Sequence, residues 1–167
     1  MNYETTSEIE IAVGKHFNHT YLVVPNVSWG MFNYELDLCM LNYGSLYATE
    51  VEIKVSRSDL KADMKKRHHH DSNKLKYVYF AMPEKLKQCE DLLEARFGII
   101  YVSQCGNVYV NRKPQVNPNA RPWELKDAFR LSRLGMFRLW DMKDNARRRS
   151  LEYRQLYSKY EELKTRA

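Results

Sequence analysis

The chain has 167 residues, of which 44% are hydrophobic and 29% charged, with a formal net charge of +6. Such a chain fits one soluble globular domain with a real core, and no apolar run approaches the ~20 residues needed to span a bilayer. Met1-Asn2-Tyr3-Glu4 carries no basic segment ahead of an apolar stretch, so no secretion signal is expected; Cys39, Cys89 and Cys105, odd in number and without a CxxC pair, argue against a disulfide framework or structural zinc and for a reducing cytoplasm.

In chain order, residues 4 to 18 predict a helix. Ile9, Ala12, Val13, His16 and Phe17 recur at helical spacing, with Thr5, Thr6 and Ser7 as caps and Glu8 and Glu10 flanking the stripe. Tyr21 to Val24 predicts a short strand closed by Pro25 and Asn26. From Phe32 to Leu41 the pattern alternates, with Tyr34, Leu36, Leu38 and Met40 on one face and Glu35, Asp37 and Cys39 on the other. Asn42-Tyr43-Gly44-Ser45 carries turn chemistry, and a strand from Leu46 to Val55 follows. Its Val51, Ile53 and Val55 face a core, while Glu50, Glu52, Lys54 and Ser56 face the other way. An antiparallel hairpin of these two strands would bring Asp37 near Glu52 or Lys54.

Ser56, Ser58 and Asp59 open a helix over roughly 57 to 70, with Leu60, Met64 and Arg67 inward. Residues 68 to 74 read as a polar loop, Leu75 to Met82 as a strand ended by Pro83, and Glu84 to Phe97 as a helix stopped by Gly98. Ile99 to Ser103 and Asn107 to Asn111 read as a hairpin. The proline- and asparagine-rich stretch 113–122 is the one linker between an α/β core, 1–112, and an extension, 123–167. That extension lacks proline beyond Pro122 and predicts one long helix, or two meeting near Gly135 or Asn145. The fold expected is a mixed sheet flanked by helices.

Charge divides along the same line. Residues 112–167 hold 15 Lys and Arg against 7 Asp and Glu, a net of +8, whereas residues 1–111 hold 12 against 14, a net of −2. A basic tail on a near-neutral body suits a polyanionic partner, nucleic acid first. Arg130, Arg133, Arg147 and Arg148 interleave with aromatic residues and are the expected phosphate contacts; an amphipathic helix packing on the body or on a second copy in a homodimer is the other reading.

Asp37, Glu52 and Lys54 are the constellation with chemistry in it. Magnesium takes oxygen ligands and usually one or two protein carboxylates. Asp37 and Glu52 would supply those, the Ile53 main-chain carbonyl a third ligand, and Lys54 a charge for an attacking water or a phosphoryl group. The plain alternative is a solvated strand face with a cross-strand ion pair. Arg57, at a strand-to-helix junction, is a further phosphate candidate. His68-His69-His70 cannot readily converge on one ion, so substrate contact or solvent exposure is expected there. Cys39, with no base to pair with, is a packing residue.

Asp37, then Val51-Glu52-Ile53-Lys54-Val55-Ser56-Arg57-Ser58-Asp59, Asp63 and Lys65, then Tyr79-Phe80-Ala81-Met82-Pro83, resembles the PD-(D/E)XK nuclease superfamily, and within it the MmcB-type DNA repair family. The resemblance covers roughly residues 8 to 112. It implies a restriction-endonuclease-like fold and a DNA nuclease using Mg²⁺ or Mn²⁺, with Asp37, Glu52 and Lys54 catalytic. Ser56, Asp59, Asp63 and Lys65 would support them, and either Glu8 or Glu10 would complete the site. Tyr34-Glu35-Leu36 stands where the family tends to basic residues, and Lys66, a candidate nucleic-acid contact, where it tends to tryptophan. The alternative on the same fold is an inactive nucleic-acid-binding or assembly module.

Overall fold

The computed structural model describes residues 4–28, 30–64 and 70–166. In chain order the elements are α1 (Thr6–Phe17), β1 (Tyr21–Val27), β2 (Leu36–Asn42), β3 (Ala48–Ile53), α2 (Arg57–Asp63), β4 (Leu75–Pro83), a 3₁₀ segment (Glu84–Leu92), β5 (Gly98–Val102), β6 (Val108–Arg112) and α3 (Leu125–Arg166). The strands form one open six-stranded sheet in sequence order. β1–β2, β2–β3 and β5–β6 pair antiparallel; β3–β4 and β4–β5 pair parallel. The sheet is therefore mixed, and both parallel pairs need a crossover, supplied by α2 and by the 3₁₀ segment.

Alternation sends the two faces of the sheet to different cores. Leu38, Met40, Val51, Ile53, Ala81, Ile100 and Val102 meet Ile9, Ala12 and Val13 of α1. On the other face Phe80, Met82, Ile99 and Tyr101 meet Leu60 of α2 and Leu86 and Cys89 of the 3₁₀ segment. With helical cover on both sides, every residue of β3 is buried, Glu50 and Glu52 included. The polar face of this strand is not solvated.

Local chemistry explains the boundaries. Thr5 caps α1 in a reciprocal box with Glu8. Asn42 Oδ1 accepts from the Gly44 and Ser45 amides and holds the β2–β3 turn. Three expectations need correction. β1 continues through Pro25 to Val27, because an edge strand can turn a proline's missing N–H outward. Glu84–Leu92 is 3₁₀, not α; Leu86, Cys89 and Leu92 repeat every three residues, the spacing that eclipses in that helix. The helix expected over 57 to 70 is observed as Arg57–Asp63, and Lys65, Lys66, Arg67, His68 and His69 lie outside the described residues.

The chain divides into two compact units, Met1–Ser132 and Arg133–Ala167. Within the first, the 113–122 stretch is tied down: the Gln115, Asn117 and Arg121 amides donate to Arg96, Lys76 and Asn73 carbonyls, and the Trp123 indole donates to the Lys74 carbonyl at 2.8 Å. The second unit is the greater part of α3, a single 42-residue helix running through Gly135 and Asn145. No described helix is long and apolar enough to cross a membrane.

Candidate functional site

β3 sets the spacing. Glu50 and Glu52 share the face that also carries Phe80, and Lys54 continues it past the strand end, where its amide donates to the Ala81 carbonyl at 2.9 Å. Ser56 then caps α2, its hydroxyl accepting from the Asp59 amide at 3.2 Å. That cap fixes the helix so that Asp59 and Asp63, four residues apart, look back at β3.

Lys54 is the hub. Its Nζ donates to Glu52 Oε1 at 2.7 Å, lies 3.1 Å from Asp63 Oδ1 and reaches Asp59 Oδ1 at 4.0 Å. Burial alone would depress this ammonium, but Glu52, Asp63 and Asp59 outweigh it and hold its pKa above the usual lysine value. Lys54 is therefore a fixed cation, not a proton acceptor near neutral pH.

His70 forms a second bridge. Its Nδ1 lies 2.7 Å from Glu50 Oε1 and its Nε2 2.7 Å from Asp63 Oδ2. Phe80, Phe97 and Tyr34 surround the imidazole edge to face, and the Tyr34 hydroxyl donates to Glu50 Oε2 at 3.0 Å. Burial opposes the charged ring, yet hydrogen bonds to Asp63 and Glu50 raise its pKa to about 9. Burial also pushes the Glu50 carboxyl up, with His70 pulling the other way. Cys39, opposite Glu50 on β2, is fully buried with its thiol pushed up by burial and by Glu50, which suits a packing residue.

Among the described residues, three buried carboxylates, Glu50, Glu52 and Asp63, thus face two buried cations, Lys54 and His70. Glu50, Glu52 and His70 each offer one ligand atom, all within 4.8 Å of one another. Two carboxylates and an imidazole nitrogen fit a divalent ion if His70 gives up the proton on that nitrogen, the nitrogen favouring manganese or another transition metal over magnesium. A cavity of ≈ 180 Å³ opens beside His70, lined among others by Asp71, Lys76, Arg96 and Asn117.

The remaining expected residues fall in several places. The β2–β3 register, continued one residue, sets Asp37 opposite Glu52. Its Oδ2 accepts from the Ile53 amide at 2.7 Å, so the link between Asp37 and Ile53 runs through N–H. Glu10 is half-buried, and burial together with the Asp37 charge raises its pKa. Glu8 is half-buried and spent on the Thr5 cap. Arg57, Arg130, Arg133, Arg147 and Arg148 are exposed; Arg133 lies over the Phe137 ring, and Arg147 and Arg148 both hold Asp144. Lys65 and Lys66 lie outside the described residues.

Glu50 and His70 are the members that sequence reasoning passed over. Glu50 was legible as a neighbour of Glu52 on one strand face. His70 is not: substrate contact or solvent exposure is expected of it in a polar loop, whereas it is buried, in a left-handed backbone turn (φ 56°) with carboxylates from β3 and α2. No protein family, curated protein or solved structure matches the chain.

Proposed function

We propose that the chain is a metal-dependent nuclease of PD-(D/E)XK type acting on DNA, in repair or recombination. The observation that carries this reading is Lys54, a buried cation held among Glu52, Asp63 and Asp59 at the end of β3. Carboxylates gathered around a fixed ammonium, with Asp37 opposite on β2, are what phosphodiester hydrolysis asks of a protein. The element order supports it: an N-terminal helix, a strand hairpin bearing Asp37 and Glu52, a helix with acids at its start, and the Tyr79–Pro83 strand, as the resemblance implies for a restriction-endonuclease-like fold.

Glu52 and Asp37, with Glu50 and a His70 that has released one of its two ring protons, would hold Mg²⁺ or Mn²⁺. Such an ion supplies Lewis acidity and lowers the pKa of water. Lys54 offers charge to a phosphoryl oxygen, and Asp59 and Asp63 keep it aimed. Arg57 and the α3 arginines, including Arg130, Arg133, Arg147 and Arg148, would hold the DNA backbone.

One observation favours a second reading, an inactive nucleic-acid-binding or assembly module. Glu52 and Lys54 are each only 4% exposed and engage one another. The test is cleavage of single-stranded, nicked and branched DNA in Mg²⁺ or Mn²⁺ by the wild type, Glu52→Gln and Lys54→Met, each checked for folding by thermal unfolding. The nuclease reading expects metal-dependent cleavage that both folded variants lose by at least a hundredfold. Binding without cleavage by the wild type on every substrate would leave the module reading.

A further inference from the structure

Residues 139–163 of α3 carry a heptad seam. Taking Leu139 as position a, the a positions are Leu139, Ala146, Tyr153 and Tyr160. The d positions are Met142, Arg149, Leu156 and Leu163, so seven of eight seam residues are apolar or aromatic. A 3.5-residue repeat is the spacing at which one helix buries a seam against another. Here the seam is open: Met142, Tyr153, Leu156, Tyr160 and Leu163 are each 60–69% exposed. A helix this long, with its apolar seam in water, is marginal without a partner, because helical stability comes mostly from packing that face.

The flanks say what kind of helix fits. Positions e and g set partner choice by charge. Among these flanks over residues 138–164, Arg138, Lys143, Lys159 and Lys164 are basic and Glu152 alone is acidic. A second copy aligned parallel would set Arg138 against Lys143 and Lys159 against Lys164. The whole of unit 133–167 carries 10 Lys and Arg against 5 Asp and Glu, a net of +5. Asp144 lies on the outer side of the heptad and holds Arg147 and Arg148 there. A polyanion alone would satisfy the charges but leave Leu156 and Leu163 in water.

We propose that α3 forms a heterotypic coiled coil with an acidic helix of another protein, whose a and d positions are apolar and whose e and g positions are rich in glutamate. This surface is separate from the chemistry at β3, and either can fail alone. The test uses the full chain and labelled four-heptad peptides with Leu at a and d and either Glu or Lys at e and g. Anisotropy should show the glutamate peptide binding at least tenfold tighter than the lysine peptide. Leu156→Asp with Leu163→Asp should lose that binding without changing the thermal unfolding of the protein. Lys143→Glu with Lys159→Glu should reverse the preference. Equal binding of both peptides, or of neither, overturns the proposal. So does a dimer at micromolar concentration by light scattering. DNA binding that the Leu156 and Leu163 substitutions abolish would assign the seam to nucleic acid and overturn it as well.

Discussion

His70 holds a carboxylate on each ring nitrogen inside an aromatic box, and that arrangement gives the protein a pH signature. Its folded pKa, about 9, is above the ordinary value of 6.5. The imidazolium therefore stabilises the fold fully below pH 6.5, and the contribution drains away as pH rises through 9. A shift of that size corresponds to on the order of 3 kcal/mol. Glu50, raised by burial, works in the same direction as it ionises. Urea unfolding of metal-free protein should show stability falling between pH 6.5 and 9, with His70→Gln less stable at pH 6.5 and flatter across the window. A wild-type profile that rises across that window would remove the charged bridge from the account. At this scale Glu52, Lys54, Asp59 and Asp63 were legible because strand alternation and helix spacing fix where such side chains point. Alternation sets Glu50 on the same face as Glu52 but does not say whether that polar face meets solvent or a helix. His70 was hidden because its place depends on a loop conformation that only the finished tertiary structure selects.

Among the elements, β3 and β5 are buried along their whole length, and α1 packs on the apolar face of β3. The strands and both hairpins could be read from alternation and from turn residues such as Asn42 and Gly44. The errors came where a local rule was too strict: Pro25 does not end an edge strand, and apolar spacing of three does not make an α-helix. The first residue of β5 shows how little slack the sheet has. A Cβ on Gly98 would run into the Tyr79 ring on β4 and approach Pro114 Cδ to 2.8 Å. The clash involves a proline ring as well as a side chain, so neither neighbour yields freely. Gly98→Ala should cost about 1–3 kcal/mol as an overpacked site does, measured by urea unfolding. An unchanged midpoint would show that the β4–β5 layer is looser than these distances imply.

At the scale of the whole molecule, the chain divides into two units of different character. The 1–132 unit carries the sheet and the buried carboxylate–lysine–histidine cluster. The 133–167 unit carries a basic helix with an apolar seam. The mixed α/β architecture and the long C-terminal helix follow from hydrophobic pattern and composition, because both faces of the sheet and the one long proline-free stretch are written in the residues. In the proposed function, the face of β3 that carries Glu50 and Glu52 is a divalent-cation site serving phosphodiester chemistry. Its most direct test is the electron paramagnetic resonance signal of free Mn²⁺ titrated into purified protein at neutral pH. At least one ion is expected to bind per chain, competed by Mg²⁺, with Glu52→Gln weakening binding at least tenfold while the fold persists. No loss of the free-ion signal up to millimolar Mn²⁺, with the wild type folded, would contradict it.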